Sequence, residues 1–381
     1  MVRLSSKPDI VQRFNMNTRS RILVAMSGGV DSSVTALLLK EQGYDVIGGH
    51  MKLWDYVDVG GDIHRDGRCC GIDSITDCRF VCDKIDAPFY VLNLSDDFRK
   101  HVIENFVAEY AAGRTPNPCV RCNTEVKWDA FLSKAEELGC SHIATGHYAT
   151  IGQGEDGRWR IRKGADSSRD QSYVLWGLTQ EALAHTLMPL GGLLKSEVRE
   201  IARRHGLRTA EKAESREICF VADDNYRRFL REYADKHNTQ FHPGKIVHSD
   251  GRILGEHEGT EFFTVGQRKG IGSGHATPLY VQRVDPASGQ VVVGDDAGLY
   301  STELCAEEIN WVSQAPPVPG TAFPCDAKIR YLHQPAAATA TVVNSGQLQL
   351  HFDQRQRAVT PGQSVVLYSG DTVIAGGIIA E

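Results

Sequence analysis

Short apolar runs alternate with segments of helical periodicity over the first half of the chain. Residues 22–26 read Ile-Leu-Val-Ala-Met and predict a buried strand, which a Ser-Gly-Gly turn follows. Apolar residues then recur at the spacing of one helix face, at Val30, Val34, Leu37 and Leu38. Further strands, each followed by enough chain for a crossover helix, are predicted at 45–53, 89–94 and 142–149. This order predicts an α/β fold with a doubly wound parallel sheet.

The second half of the chain has a different pattern. Residues 172–207 stay helical, and from about residue 241 short β-prone runs are interrupted by Gly and Pro. The last five strands, which suit a small β-barrel, are predicted at 323–331, 338–343, 347–352, 364–368 and 373–379. We therefore expect an N-terminal extension, an α/β domain, a small central connector domain and a C-terminal β-barrel, at 1–20, 21–220, 221–295 and 296–381.

Composition and charge narrow the class of protein. The 381 residues are 41% hydrophobic and 24% charged, and no apolar stretch approaches the roughly 20 residues that span a bilayer. The first 21 residues lack the apolar core of a secretion signal, so we expect a cytoplasmic protein, not a membrane protein, whose ten cysteines stay reduced. An organelle transit peptide is the alternative interpretation of this extension.

The formal net charge of −6 argues against indiscriminate binding of nucleic acid. A polyanionic partner must therefore meet local basic patches, although most charge runs are solvated faces. The candidate basic residues are Arg199, Arg203, Arg204, His205, Arg208, Arg227, Arg228 and Arg231.

The turn from Ser27 to Ser32 reads Ser-Gly-Gly-Val-Asp-Ser. Glycines let phosphate approach the backbone, and the N-terminus of the following helix supplies amide donors. Asp31 would repel phosphates unless it holds Mg²⁺ or orients the loop. The Gly-Lys-Ser end of a Walker A motif is missing, which disfavours simple hydrolysis of the γ-phosphate. The segment resembles the pyrophosphatase-loop (PP-loop) superfamily, in which adenylation by ATP is common. A plain strand-to-helix turn is the alternative.

Three further segments agree with this loop in content and order. Residues 115–123 read Thr-Pro-Asn-Pro-Cys-Val-Arg-Cys-Asn, residues 145–148 read Thr-Gly-His-Tyr, and residues 214–220 read Glu-Ser-Arg-Glu-Ile-Cys-Phe. Together these motifs resemble the tRNA-specific 2-thiouridylases of the MnmA (TrmU) family, and the resemblance covers nearly the whole chain from Arg21 onward. It implies an enzyme that adenylates O2 of the wobble uridine of tRNA with ATP, transfers sulfur to C2, and releases AMP and pyrophosphate.

The resemblance also implies roles for two cysteines. Cys219 would carry a persulfide, and Cys122 would attack it as a nucleophile, which leaves a transient Cys122–Cys219 disulfide. Either role needs a thiolate, so a nearby positive charge such as Arg121 or Arg216 would help. The sulfur donor, whether a relay protein, a cysteine desulfurase or free sulfide, does not follow from the sequence.

At two positions the chain departs from the best-known members of that family, which carry Asp in place of Cys119 and often Gly in place of Glu217. Cys119, Cys122 and Cys219 together would suit three irons of a [4Fe-4S] cluster whose fourth iron stays open for hydrosulfide. The cluster route and the persulfide route both depend on these residues, and the set of three thiols favours the cluster. A zinc site is a third alternative, and it would add cysteines from among Cys69, Cys70, Cys78 and Cys82. The remaining cysteines, Cys140, Cys305 and Cys325, are expected to be ordinary thiols.

By the same resemblance, ATP and Mg²⁺ are the expected cofactors. The implied ATP contacts are Ala25, Met26, Ser27, Gly28, Gly29, Val30, Asp31, Ser32, Met51 and Gly146. The implied tRNA contacts are Asn117, Pro118, Cys119, His147, Arg169, Asp170, Gln171, Arg330, Tyr331 and Gln363. In this scheme Arg169 contacts phosphate, Gln171 contacts a base edge and Tyr173 stacks on a base. Core packing is the alternative for Met51, a solvated loop for His147, and charged strand ends for the barrel residues.

Two other functions fit part of the pattern. A PP-loop ligase that adenylates a small molecule would explain the loop, but it leaves the three cysteines and the barrel without a role. A non-catalytic RNA-binding relative would need neither Asp31 nor the paired thiols.

Overall fold

The structure is a computed structural model that describes residues 20–55, 72–213, 218–221, 223–271 and 277–380. It divides into two compact units. The first unit contains the described residues of 20–98 and 123–220, and the second contains residues 99–122 together with the described residues from 221 onward. The segment that carries Cys119 and Cys122 therefore belongs to the same unit as the C-terminal half of the chain.

The first unit is built on a sheet of five parallel strands in the order β3-β2-β1-β4-β7. Its interior strand β1 is apolar on both faces, and Ile22, Leu23 and Val24 are completely buried. The other two strands of this unit, β5 and β6, form an antiparallel hairpin. The strands are β1 Arg21–Ala25, β2 Asp45–Lys52, β3 Phe89–Asn93, β4 His142–Ala144, β5 Ala149–Gln153, β6 Trp159–Lys163 and β7 Thr186–Leu187.

Helices follow most of these strands, and two π-helical stretches, Arg99–Ile103 and Cys122–Ala130, interrupt the helical segments. The α-helices of the described residues are α1 Val30–Glu41, α2 Ile72–Lys84, α3 Ser95–Phe98, α4 Glu104–Ala111, α5 Pro118–Arg121, α6 Phe131–Glu137, α7 Gln180–Ala184, α8 Lys195–Arg204 and α9 Tyr226–His237. Short 3-10 turns lie at Ser172–Leu175, Arg208–Glu211, Thr260–Phe262 and Asp296–Leu299.

Two predictions for the first unit were wrong in detail. The strand predicted over 142–149 ends at Ala144, because Gly146 turns away to lie against the backbone of Asp31, and β5 then starts a separate hairpin. The segment 172–207 is not helical throughout, because Thr186 and Leu187 pair in parallel with Ile143 and Ala144 as the fifth strand. The α/β class with a parallel sheet is confirmed.

The second unit contains a four-stranded sheet in the order β10-β11-β8-β9 and a six-stranded barrel in the order β12-β15-β14-β13-β16-β17, which the pairing of β12 with β17 closes. Its strands are β8 Gly244–His248, β9 Ile253–His257, β10 Tyr280–Asp285, β11 Gln290–Gly294, β12 Tyr300–Trp311, β13 Ala322–Lys328, β14 Ala336–Asn344, β15 Gln347–Arg357, β16 Ser364–Ser369 and β17 Thr372–Ile379.

The predicted C-terminal barrel is confirmed, with one strand more than the sequence indicated. Side chains on β15 alternate as a barrel wall requires, with Leu348, Leu350 and Phe352 buried between exposed neighbours. Strand β12 was missed because its burial is irregular and its outer positions are rich in Glu. In the ranges described above, no helix is long and apolar enough to cross a membrane.

Candidate active site

The Ser-Gly-Gly loop joins the end of β1 to the start of α1. Gly28 has a φ of +74°, and a Cβ there would lie 2.6 Å from the carbonyl oxygen of Ser74 in α2, so only glycine fits. Gly29 is different, because a Cβ there would meet only the Ser27 hydroxyl, at 3.5 Å. Gly28 therefore shapes the loop, whereas Gly29 leaves its surface open to a ligand.

The hydroxyl groups of this loop bind the loop itself. Ser32 Oγ accepts a hydrogen bond from the Ser27 amide at 3.2 Å, and Ser33 Oγ donates to the carbonyl of Gly29 at 2.8 Å. Ser32 and Ser33 are both buried. Ser27 Oγ lies 3.3 Å from Ser32 Oγ. The hydroxyls therefore fix the loop shape that the backbone amides need if they are to receive phosphate.

Asp31 is the centre of a small polar network. Both of its carboxylate oxygens accept hydrogen bonds from the Lys195 ammonium, at 2.8 and 2.7 Å, and Oδ1 also accepts from the Tyr148 hydroxyl at 2.7 Å. The Lys195 side chain is only 10% exposed, against 31% for Asp31. A lysine that is nearly buried keeps its charge only beside a partner of this kind. Of the two roles predicted for Asp31, the structure favours orientation of the loop.

Sequence reasoning missed Lys195 and Tyr148. The backbone amide of Lys195 donates to Asp166 Oδ2 at 3.0 Å, which fixes the first turn of α8. The Ser168 hydroxyl and this amide hold the pKa of Asp166 below its usual value. The only sequence signal for Lys195 is a lysine at the first position of a helix, where a negative charge is usually preferred.

Gly146 follows the carboxyl end of β4, and Met51 is the last residue but one of β2. A Cβ on Gly146 would lie 2.9 Å from the carbonyl carbon of Asp31 and 3.0 Å from the amide of Ser32, so this glycine allows the two backbones to touch. Met51 is half-buried and pairs with Leu92 in the sheet. Both residues lie at the edge of the sheet where ligands of open α/β sheets bind.

His147 lies next to Gly146 and contacts protein on two sides. Its Nδ1 is 2.9 Å from the Thr145 hydroxyl, and its ring centre is 5.4 Å from that of Trp128. Burial among these groups, with the Lys127 ammonium nearby, lowers the pKa of His147 well below its usual value. His147 is thus a half-buried loop residue that packs on one side against Trp128.

A second histidine, His50, forms a hydrogen bond with the backbone just before the Ser-Gly-Gly loop. His50 on β2 is 99% buried, at 1% exposure, and its Nδ1 lies 2.9 Å from the carbonyl oxygen of Met26. Burial lowers the pKa of His50, although the Met26 carbonyl opposes this shift. A neutral ring at this position donates to the backbone just before the Ser-Gly-Gly turn.

The side chains of Asp170 and Gln171 in the segment 169–173 bind backbone amides of the protein itself. Asp170 accepts from the amides of Gly164 and Ser172, both at 3.1 Å, and Gln171 Oε1 accepts from the amide of Tyr148 at 2.9 Å. Tyr173 is completely buried, so the prediction that it stacks on a base is wrong. Arg169 is half-buried.

The cysteine loop forms the short helix α5. Pro118 takes the first position of the helix, where its missing amide costs nothing, and the next turn presents Cys119 and Cys122 one helical turn apart. Cys119 is exposed, whereas Cys122 is only 7% exposed. Arg121 forms an ion pair of 2.7 Å with Glu308 of β12. Glu308 therefore partly neutralises the positive charge that Arg121 offers to a cysteine thiolate.

Cys219 lies in the first unit and is half-buried. Cys119, Cys122 and the neighbouring Asn117 and Pro118 belong to the second unit. Two further residues of the prediction, Arg216 and Glu217, lie outside the described residues.

Three barrel residues were implied as tRNA contacts. Tyr331 is exposed, with the Lys328 ammonium 5.7 Å from its ring centre. Arg330 donates to the carbonyl of Ala358 and, at 3.2 Å, to the Thr360 hydroxyl. Gln363 donates to the carbonyls of Thr115 and Pro116. Arg330 and Gln363 therefore have structural partners within the second unit.

The other thiols lie mostly in hydrophobic surroundings. Burial raises the pKa of Cys78, Cys82 and Cys325 to about 12 and that of Cys140 to about 11, so these groups stay protonated. Cys305 is exposed. Cys69 and Cys70 of the zinc alternative lie outside the described residues. Within the described part of the chain, no three His, Cys, Asp or Glu side chains are grouped to hold a metal ion.

The predicted basic patches are largely neutralised by neighbours. Arg203 pairs with Glu211 at 2.7 Å, and Arg228 pairs with Asp223 at 2.9 Å. Other members bind carbonyls, carboxylates or ring faces; these are Arg199, Arg204, His205, Arg208, Arg227 and Arg231. Surface pairs of this kind are weak, so a polyanion can still compete for the exposed guanidinium groups.

Three family models match the chain in sequence order. The tRNA methyl transferase HUP domain matches residues 20–223, the tRNA methyl transferase PRC-barrel domain matches residues 227–295, and the aminomethyltransferase beta-barrel domain matches residues 301–379.

Two curated relatives match nearly end to end. The tRNA-specific 2-thiouridylase MnmA of Geotalea uraniireducens is 50% identical over 364 residues, which cover 95% of this chain and 96% of the relative. The protein of the same name from Symbiobacterium thermophilum is 47% identical over 364 residues, with 94% and 92% covered. A solved 4-thiouridine synthetase–RNA complex with bound ATP has a TM-score of 0.33 at 15% identity and covers 57% of this chain and 51% of that one, a likeness too weak to carry an argument.

Proposed function

We propose that this chain, since it belongs to the family of tRNA-specific 2-thiouridylases, uses ATP to activate a tRNA uridine and replaces its C2 oxygen by sulfur. It is an ATP-dependent sulfurtransferase. The observation that carries the proposal is the Ser-Gly-Gly loop, whose buried hydroxyls and tight glycine present backbone amides at the start of α1. The descriptions of two matching family models refer to methyl transfer. That reaction does not use nucleotide phosphates, so it would leave the Ser-Gly-Gly loop without a role.

Adenylation begins at this loop. The backbone amides from Ser27 to Ser32 would bind the phosphates, and Met51 and Gly146 would line the pocket for the adenine and ribose. Lys195, which Asp31 and Tyr148 hold in place, would stabilise the negative charge that develops as pyrophosphate leaves. The uridine O2 attacks the α-phosphorus, the bond to the β-phosphate oxygen breaks, and O2 becomes part of an AMP leaving group. Mg²⁺, if bound through Asp31 and the phosphates, would supply further charge neutralisation.

Sulfur transfer follows at the cysteines. A persulfide on Cys219 would carry the sulfur as its outer atom, and the Cys122 thiolate would attack the Sγ atom of Cys219 itself. That attack forms the Cys122–Cys219 disulfide and releases hydrosulfide, which adds to C2 of the uridine and expels AMP. A dithiol reductant then restores both thiols. A relay protein or a cysteine desulfurase that already carries a persulfide would pass its outer sulfur to the Cys219 thiolate and recover its own thiolate. Free sulfide, the third candidate donor, would add to C2 directly without a persulfide on Cys219.

The cluster route uses the same cysteines. Cys119, Cys122 and Cys219 have the soft thiolate chemistry that a [4Fe-4S] cluster needs, and the cluster would supply an open iron for hydrosulfide. Cys219 belongs to the first unit, whereas Cys119 and Cys122 belong to the second, so we derive no step through a cluster. The persulfide route needs only two thiols, and we take it as the mechanism.

The substrate tRNA would contact both units. We assign contact with the wobble uridine to Asn117, Pro118 and Cys119, and contact with the anticodon stem to His147, Arg169, Tyr331 and the exposed guanidinium groups of α8 and α9. In this scheme residues 21–220 form the adenylation domain, residues 221–295 the connector, and residues 296–381 the tRNA-contacting barrel.

The test is the reaction with defined components. Unmodified tRNA, ATP, Mg²⁺, a cysteine desulfurase supplied with cysteine, and a dithiol reductant should yield 2-thiouridine, measured by mass spectrometry of nucleosides, with one AMP for each thiouridine. AMP formed on a small molecule without tRNA would support the ligase alternative, and tRNA binding without AMP would support a non-catalytic relative. Either result would contradict the proposed function.

A further inference from the structure

The loop that leads into α5 is held by a turn of the barrel. Gln363, just before β16, donates hydrogen bonds from Nε2 to the carbonyl of Thr115 at 2.9 Å and to the carbonyl of Pro116 at 3.2 Å. The carbonyl of Pro361 in the same turn accepts from the Thr115 amide at 2.8 Å. Three hydrogen bonds thus join two residues of the loop to two residues of the turn.

This loop depends on donors from elsewhere. Pro116 and Pro118 have no backbone N–H, so the loop cannot bind its own carbonyls as an ordinary turn does. Pro116 is buried, so leaving its carbonyl group without a hydrogen bond would lower the stability of the fold. The Gln363 carboxamide supplies the missing donor.

The turn that carries Gln363 is itself rigid. The amide of Ile379 donates to the carbonyl of Gln363 at 2.8 Å, and the Gly362 amide donates to the carbonyl of Ile379 at 2.8 Å. Gly362 has a φ of +86°, and a Cβ there would lie 2.8 Å from the Thr115 nitrogen. The close approach of loop and turn therefore requires glycine at this position.

The other side of the same segment is also attached to the barrel. Arg121 pairs with Glu308 at 2.7 Å, and Arg114 approaches Glu307 at 3.4 Å while it also binds Glu109. Glu308 has a φ of +52°, at an irregular register between β12 and β17. The barrel thus contacts the segment both before and within α5.

We infer that Gln363 is a positioning residue for Cys119 and Cys122, and that it acts by holding the carbonyls of Thr115 and Pro116 rather than by contacting tRNA. The inference rests on the proposed role of Cys122 as a nucleophile, and it gives the barrel a part in sulfur transfer. Loss of the carboxamide frees the loop, so the buried Cys122 becomes more accessible and is less often in its reactive position.

The test compares Gln363→Met with Gln349→Met. Methionine keeps the length of the side chain but donates no hydrogen bond, and Gln349 is an exposed residue of β15 in the same barrel. Without tRNA, the rate of alkylation of Cys122, followed by peptide mass spectrometry, should rise about fivefold in Gln363→Met, as expected for the loss of one net hydrogen bond. The single-turnover rate of thiolation should fall by about the same factor or more, and the Kd for tRNA should stay within about twofold. Gln349→Met should match the wild type in all three measurements.

Unchanged alkylation of Cys122 together with a weaker Kd for tRNA would overturn the inference and leave Gln363 as a tRNA contact. If Gln363→Met does not fold, Gly362→Ala displaces Thr115 while it keeps the carboxamide, and it should raise alkylation in the same way. The alkylation rate does not depend on catalysis, so it separates this inference from the proposed function. A wild-type protein that does not thiolate tRNA would contradict only the latter.

Discussion

The ammonium of Lys195 lies 2.7 and 2.8 Å from the two carboxylate oxygens of Asp31, although 164 residues separate them in sequence. Because Tyr148 binds the same carboxylate, the position of the ammonium beside the Ser-Gly-Gly loop is fixed before ATP arrives. We expect Lys195→Met to slow tRNA-dependent release of AMP about 100-fold, the usual effect of removing one fixed electrostatic group. The Kd for tRNA should stay unchanged.

Lys134→Met is the matched control, because Lys134 is exposed and pairs only with Glu137 at the surface among the contacts described. Equal rates of AMP release in the two variants would show that Lys195 is structural. Lys195→Arg should recover part of the rate, since it keeps the charge but not the geometry.

The two glycines of the loop should respond differently to alanine. Gly28→Ala places a methyl group 2.6 Å from the Ser74 carbonyl oxygen, so the melting temperature of the ATP-free protein should fall. Gly29→Ala has room and should melt as the wild type does, but its Kd for ATP should rise about tenfold or more because the methyl group faces the phosphates.

Gly157→Ala controls for backbone strain. Gly157 has a φ of +77°, close to the +74° of Gly28, but nothing lies within 4 Å of its Cβ position. Any further fall in melting temperature in Gly28→Ala, compared with Gly157→Ala, then measures the effect of the clash with the Ser74 carbonyl. A Gly29→Ala variant with normal affinity for ATP would contradict the proposed phosphate site.

The first strand, its loop and α1 could be predicted because their signals are local. An apolar run, two glycines and a 3.6-residue period lie within 20 residues of one another. Lys195 could not be predicted, since its role depends on a partner that the fold brings from a distant segment. The two-residue strand Thr186–Leu187 was missed for the same reason, because only its pairing with β4 distinguishes it from a helical stretch.

The cysteine variants should separate the two half-reactions. Cys122→Ala and Cys219→Ala should lose 2-thiouridine formation and still release pyrophosphate in the presence of tRNA, because neither thiol takes part in the attack of O2 on ATP. Cys305→Ala, which removes an exposed barrel thiol, should behave as the wild type. Normal thiolation by Cys219→Ala would contradict both sulfur routes.

Cys119 decides between those routes. On the persulfide mechanism, Cys119→Ala should keep most of its thiolation activity when the protein contains no iron. Anaerobically purified wild-type protein with about four irons per chain, lost in Cys119→Ala together with thiolation, would establish the cluster instead.

Stability should fall as the medium becomes acidic. Burial lowers the pKa of His50 and lowers that of His147 well below its usual value, so the unfolded chain binds more protons than the folded chain below about pH 6.5. Folding stability is then fully present above that pH and is lost as pH falls, by up to about 1.4 kcal/mol per pH unit for each such histidine. The melting temperature should therefore drop between about pH 7.5 and about pH 5.5.

His147→Gln should show a smaller drop over the same range, because its share of the proton uptake is gone. His351→Gln is the control, since the His351 side chain is 62% exposed. Identical pH profiles for wild type and His147→Gln would mean that His147 is already charged in the folded protein.

The residues predicted to contact tRNA show how much family motifs alone can establish. Asp170 and Gln171 lie in a recognisable motif, yet their side chains bind the backbone of neighbouring segments, and Tyr173 is buried. A residue can belong to a motif because it supports the fold or because it binds a substrate. Only its contacts in the structure distinguish these two roles. Arg330 and Gln363 were likewise assigned to tRNA, but both donate to backbone carbonyls within the second unit.

The contact between Thr115 and Gln363 spans 248 residues, which has a consequence for synthesis of the protein. At about 5–20 residues per second, a ribosome needs roughly 12–50 seconds to make the chain between these two positions. During that interval the first parallel strands can already pair, whereas the segment with Cys119 and Cys122 has no barrel to bind. In a nascent or truncated chain the Cys122 thiol, which is buried in the folded protein, is therefore as open to oxidation as the exposed Cys119. Translation must reach the last strands before Cys122 is protected.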